Sequence, residues 1–125
     1  MPLLFSEDHT WLQLDDAADG QTAVMGITVH AQNTLGDIVF VDLPAIGKTF
    51  AAREVAGVVE SVKAAADVHM PAGGEIIEVN EALRADPSLA NSDPLGQGWF
   101  FKVKLNQLSD LQALHDEAAY QKLTS

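Results

Sequence analysis

Apolar residues recur along this chain in short blocks separated by polar or glycine-bearing breaks, a rhythm that predicts mostly strands. Leu3 and Phe5, then Trp11, Leu12 and Leu14, surround the polar Ser6-Glu7-Asp8-His9 and read as two short strand pieces. Asp15 to Gly20 reads as a polar turn, and Gln21 to Gly26 as a further short strand. Thr28 is placed to cap a helix over Val29 to Leu35, with Gly36 as its stop. Asp37 to Leu43 is β-rich and largely apolar and ends at Pro44, which predicts a buried strand.

After a turn at Ala45 to Lys48 and a short piece at Thr49 to Ala51, Glu54 to Val62 and Ala66 to His69 form strands on either side of Lys63. Met70 to Gly74 breaks the second of these, and Glu75 to Val79 alternates as a half-buried strand. Asn80 to Gly98, carrying Pro87 and Pro94, is expected to be irregular apart from a helical turn at Glu81 to Arg84. Trp99 to Lys104 returns to strand. Ser109 and Gln112 make a capping-box pattern for a helix through His115, and Glu117 to Leu123 continues it or forms another. Trp11, Phe40 and Trp99 are taken first as core aromatics. The expectation is one mainly β domain over residues 1–125, with small peripheral and C-terminal helices.

The stretch from Gly57 to Val68 reads as strand, tip and strand, because β-branched residues crowd before Lys63 and small ones follow it. Lys63 is the only lysine or arginine between Arg53 and Arg84, with Glu60 and Asp67 flanking it. A lone amine is thus presented at a hairpin apex. Gly47, sixteen residues before it, and Gly74, eleven after, are available for the positive φ of tight turns.

Charge and composition narrow the function. The 125 residues, 47% hydrophobic, suffice for one core, and a formal charge of −11 from 18 acids against 7 bases argues against nucleic acid or anionic membrane as partner. No cysteine occurs, so disulfides, thiolate metal sites and CxxC redox motifs are excluded; any thiol chemistry must bring its sulfur in. No apolar run is long enough for a membrane span and no signal peptide stands at the N-terminus, so a complete cytoplasmic product is expected. His9, His30, His69 and His115 show no i, i+4 pair, which leaves metal binding without support. No phosphate-binding loop or nucleophile elbow is present, and nothing orients His69 toward Ser61, so no catalytic set can be assembled.

Several segments together resemble the H proteins of the glycine cleavage system. They are Asp8-His9 with Trp11, Gly26-Ile27-Thr28 with His30-Ala31-Gln32, the run from Leu35 to Pro44, Glu60-Ser61-Val62-Lys63-Ala64, Gly74-Glu75-Ile76, Asn91-Ser92-Asp93-Pro94, Gly98-Trp99 with Lys102 and Lys104, and Ala119-Tyr120. The resemblance implies a lipoyl/biotinyl-type β-sandwich, a barrel-sandwich hybrid of two pseudo-symmetric halves, acting as a carrier and not as an enzyme. Lys63 matches the position amide-linked to lipoic acid, and Glu60 and Gly74 match positions read by the lipoyl- or octanoyl-attaching enzymes. The implied partners are the pyridoxal-phosphate glycine decarboxylase, which loads the arm with the aminomethyl intermediate, the tetrahydrofolate-dependent aminomethyltransferase, which unloads it, and dihydrolipoamide dehydrogenase, which reoxidises it. A bacterial cytoplasmic monomer is implied. Acylating Lys63 would take the formal charge from −11 to −12.

The resemblance also implies a pocket for the folded-back arm, formed by Asp8, Thr10, His30 and Asp67. Thr10 stands where the family usually has a glutamate that neutralises the aminomethyl amine, Val29 where it has an acid and Leu95 where it has an aromatic. A hydroxyl supplies no full charge, so weaker protection of the cargo, or compensation by Asp8 or Asp67, follows. The departure leaves room for an H-like relay that supplies lipoate to other proteins. A biotinyl carrier is disfavoured because Val62 and Ala64 stand where that family has methionines, and a binding module using an unmodified lysine remains an alternative from another class.

Overall fold

The computed structural model describes residues 3–14 and 21–124, and the turn expected at Asp15 to Gly20 lies outside the described residues. Among the described residues, nine strands form two antiparallel sheets. They are β1 (Leu4–Phe5), β2 (Thr10–Leu14), β3 (Thr22–Ile27), β4 (Ile38–Asp42), β5 (Thr49–Phe50), β6 (Val55–Ser61), β7 (Ala65–His69), β8 (Gly74–Val79) and β9 (Phe101–Leu105). The larger sheet runs β1-β2-β3-β9-β8-β5 and the smaller β4-β6-β7. Their facing sides share one core, in which Leu12, Met25, Ile76, Phe101 and Val103 of the larger sheet meet Ile38, Val41, Val59 and Val68 of the smaller. This is a two-sheet sandwich, and the mainly β expectation stands.

Strand alternation delivers residues to two sides of the larger sheet. In β2, Leu12 enters the main core, whereas Trp11 packs with Phe5 and Tyr120 in a second cluster on the other side. Trp11 is therefore an anchor of that outer cluster, its indole Nε1–H donating to the Pro94 carbonyl at 2.8 Å. Trp99 packs against the same cluster. The helix α4 (Glu117–Thr124), which carries Tyr120, covers this side and explains why three successive residues of β2, Thr10, Trp11 and Leu12, are all buried.

Two expectations for β4 fail for one reason. The strand is an edge of its sheet, and its register against β6 shifts between Ile38 and Phe40. A bulge places two neighbours on the same side, so Val39 and Phe40 are both about half exposed, at 56% and 50%, and Phe40 is no core aromatic. A second shift, between Ile76 and Glu78 in the β8–β9 pairing, likewise turns out Ile77 beside Glu78.

The helix α1 (Val29–Leu35) forms where expected. The Thr28 hydroxyl accepts the Ala31 N–H at 3.1 Å, and Gly36 ends the helix at φ 80°, a conformation that costs glycine little. Between β8 and β9 the chain makes α2 (Glu81–Ala85), as expected, and also α3 (Leu89–Ser92), which was not foreseen. The C-terminal capping box does not operate: Leu108–Ala113 is a 3-10 helix with Ser109 inside it. Its anchor is Asp110, whose carboxylate accepts the Gly73 N–H at 3.1 Å and the Gln107 amide at 2.9 Å.

Gly47 has the positive φ expected of it, 94°, but Gly74 does not. It opens β8 and is buried opposite Leu105, where a Cβ would collide with the Lys104 carbonyl oxygen and stand 2.6 Å from Cγ2 of Val103. The requirement is one of space between strands. Gly74→Ala is expected to lower stability by about 2 kcal/mol through forced separation of β8 from β9. A urea melt reads this directly, and an unchanged midpoint would refute the close packing.

Candidate functional site

Lys63 lies at the centre of the three-residue loop joining β6 to β7, and it is exposed. Ser61 builds that loop. Its backbone N–H donates to the Ala64 carbonyl at 2.8 Å, while its hydroxyl oxygen accepts the N–H groups of Lys63 at 3.2 Å and Ala64 at 3.1 Å. The Val62 N–H, bonded to the Asp37 carbonyl at 3.0 Å, ties the loop to the entry of β4. The tip is thus a fixed stub bearing one long side chain. The lysine chain runs past the end of α1: a Cβ on Gly36 would stand 3.4 Å from its Cε. Among the described residues, no carboxylate lies within ion-pair distance of its amine.

A cavity of about 210 Å³ opens beside this hairpin. One wall comes from the hairpin strands, with Val59, Ala66, Asp67 and Val68; another from α1, with His30, Ala31, Thr34 and Leu35; the third from Asp8, His9, Thr10 and Ile27. The aliphatic groups make it largely apolar, with acids and imidazoles among them. Asp8, Thr10, His30 and Asp67, distant in sequence, are brought together here. Glu60 is exposed on β6, three residues before Lys63 and opposite Ala65. Gly74 stands apart from these, in the larger sheet.

The polar groups of the cavity are not equally available. Thr10 is 1% exposed and its hydroxyl is 2.7 Å from that of Ser6. Asp8 is paired with Arg53, its Oδ1 3.3 Å from Nη2. Asp67 has no cationic partner among the described residues. His9 adopts φ 65°, a strained value for a non-glycine residue, held by its N–H bond to the Ser6 carbonyl and its carbonyl's acceptance of the Thr28 N–H, both 3.1 Å. Its ring lies 4.6 Å from that of His30, centroid to centroid, and its Nδ1 is 2.7 Å from the Tyr120 hydroxyl. Burial first, then the neighbouring His30, push its pKa below the ordinary 6.5, with Asp8 opposing them. Burial raises that of Tyr120, and the Thr28 hydroxyl partly offsets this.

Sequence reasoning passed over four residues that shape this site: Ser61, His9, Tyr120 and Asn91. Asn91 accepts the Ile38 N–H at 2.8 Å and donates to Gln32 and to the Gly36 carbonyl, both at 2.9 Å, locking the end of α1 to the start of β4. Its signal was the Asn91-Ser92-Asp93-Pro94 segment, and that of Tyr120 the Ala119-Tyr120 pair. Neither names its partner.

A sandwich with a single exposed lysine at a braced hairpin tip and a cavity alongside has the design of a lipoyl-type carrier domain. The family described as glycine cleavage H-protein matches residues 3–125. The chain is 57% identical to a glycine cleavage system H protein of Chromobacterium violaceum over 120 residues, 96% of this chain and 91% of that one. It is 50% identical to one of Bradyrhizobium diazoefficiens over 122 residues, 98% and 97% respectively. The crystal structure of a Mycobacterium marinum glycine cleavage system H protein, 36% identical, superposes with a TM-score of 0.88, covering 98% of this chain and 95% of that one. The chain belongs to the glycine cleavage H-protein family, and its role is the family's, that of lipoyl carrier in the glycine cleavage system.

The His9 shift has a signed consequence for stability. The unfolded chain takes up a proton near the ordinary value of 6.5, which folded His9 resists. The His9 contribution is therefore complete above that value and is lost as pH falls through it toward the folded pKa. Melting temperatures of the wild type and His9→Gln, followed from about pH 7.5 to about pH 5, are expected to converge toward acid. A constant gap would contradict the assignment.

Proposed function

We propose that Lys63 bears the lipoyl group in amide linkage and that the cavity beside it receives the arm. The carrying observation is that Ala66 and Asp67, on the lysine's own hairpin, and Leu35, next to the glycine its chain runs past, line the cavity shared with Asp8, Thr10 and His30. The fit is chemical as well. The aliphatic walls suit a hydrocarbon tether, and a chain without cysteine needs a supplied sulfur pair. Lipoate supplies a dithiolane that is reduced as it takes up a one-carbon cargo and is afterwards reoxidised.

The chain's own residues then act by holding and shielding. A cationic amine brought into the cavity meets no carboxylate at Thr10. Because Asp8 is already paired with Arg53, Asp67 supplies the free negative charge. Glu60, exposed near the tip, is read directly by the lipoyl- or octanoyl-attaching enzymes; Gly74 contributes indirectly, by letting β8 close on β9. The partners in turn are glycine decarboxylase with its pyridoxal phosphate, the aminomethyltransferase and dihydrolipoamide dehydrogenase, each meeting a tethered cargo at raised effective concentration. We assign the chain no catalytic activity of its own, and place it as a single carrier domain, residues 1–125, monomeric in the bacterial cytoplasm. The naming of both close relatives as glycine cleavage proteins favours this over a relay of lipoate to other proteins.

Intact mass of protein from lipoate-replete cells is expected to show one lipoyl increment mapping to Lys63. Lys63→Arg should fold normally, carry no increment and support no glycine decarboxylation with purified partners; retained turnover refutes the attachment. Thr10→Glu restores a carboxylate to the cavity and is expected to slow ammonia release from the loaded carrier roughly tenfold. An unchanged rate would count against the cavity as the cargo's shelter.

A further inference from the structure

Tyr120 is the chain's only tyrosine, and it is 6% exposed, stacked on Phe5 with centroids 4.8 Å apart. Its hydroxyl stands between two partners, the Thr28 hydroxyl oxygen at 2.8 Å and the His9 ring nitrogen Nδ1 at 2.7 Å. Thr28 Oγ1 also accepts the Ala31 N–H that caps α1. One arrangement uses every proton: Ala31 N–H to Thr28, Thr28 O–H to Tyr120, Tyr120 O–H to His9 Nδ1. In the reverse order, with Nδ1–H donating to Tyr120 and Tyr120 to Thr28, the buried Thr28 proton has no acceptor among the described contacts. We infer that Tyr120 is a positioning residue of the cavity: its hydroxyl relays the cap of α1 to His9 and holds that imidazole in the cavity wall as the neutral Nε2–H tautomer.

The role toward the arm rests on the cavity being the arm's receptor. There, a neutral His9 adds no cation where a cationic amine arrives. Protonation at Nδ1 would turn that nitrogen into a donor, reverse the relay and strand the Thr28 hydroxyl. The groups around His9 are His30 on α1, Tyr120 on α4, Asp67 across the cavity on β7, and Asp8 beside it, itself paired with Arg53. Burial and His30 act in the same direction as the relay, and Asp8 opposes them. The C-terminal helix thereby sets the charge of a wall formed 111 residues earlier in the chain.

The test is Tyr120→Phe, which keeps the ring on Phe5 and removes only the hydroxyl. In the unlipoylated protein, nitrogen-15 resonances of the His9 ring are expected to report the Nε2–H tautomer for the wild type. In the variant they should report a mixture, with the His9 pKa moved up toward the ordinary histidine value. Thr28→Ser alone, with Tyr120 intact, retains cap and relay and should keep the wild-type pattern. An Nδ1–H tautomer in the wild type, or identical His9 titrations in wild type and Tyr120→Phe, overturns the proposal. In the lipoylated, loaded protein the same variant is expected to release ammonia about fivefold faster, the weight of one neutral hydrogen bond. A changed tautomer with unchanged release upholds the relay and refutes the cavity as the arm's receptor, so the two failures are distinct.

Discussion

Thr28 is where the separate pieces of this site become one. Its backbone N–H bonds the carbonyl of the strained His9, while its hydroxyl caps α1 and meets Tyr120 of α4, all with the residue 2% exposed. A buried polar group in that position must find partners on every side, because unmet bonding capacity there is costly. Meeting it draws together the loop before β2, the helix flanking the cavity and the helix at the C-terminus. The junction adds to other ties, since α1 buries no residue fully and is otherwise held by Asn91 and by the packing of Ala31 and Leu35 on the core.

The sandwich supplies what this junction cannot. Its shared core fixes β6 and β7, so the loop carrying Lys63 projects from a stiff base and is braced locally by Ser61 and by Asp37. Rigidity in the base and freedom in the side chain are different requirements, met by different parts of the chain. The core meets the first by burying one side of each central strand. The second is met by exposure, by a lack of ion-pair partners for the amine among the described residues, and by the small Ala64 and Ala65 that follow.

Most of this fold was legible in the sequence because its strands are short, β-branched and punctuated by glycine, proline and polar clusters. The exposure of Val39 and Phe40 was not, because a bulge is a property of two paired strands and leaves no mark in either alone. Ser109 misled for a related reason: its capping pattern was sound locally, but Asp110 had a better tertiary partner in the Gly73 N–H. In the site, the resemblance named Asp8, Thr10, His30 and Asp67, and the structure puts all four on one cavity. It could not supply the Arg53 pairing of Asp8, or the bond from Tyr120 to His9, because contacts across such separations have no local signature.

The helix α1 joins the two ends of the site: its cap belongs to the Tyr120 relay, and its closing glycine borders the lysine chain. Its seven residues span about 10 Å. In an α-helix, length and rotation are a single variable, for each added residue advances the far end by about 1.5 Å and turns it by about 100°. The interval between Lys63 and the cavity can therefore change only in coarse steps, each of which also turns part of the wall formed by His30, Ala31 and Leu35. Such a spacer tolerates exchange of side chains on its outer face while resisting any insertion or deletion, so the distance from Lys63 to the cavity is a quantised property of the fold.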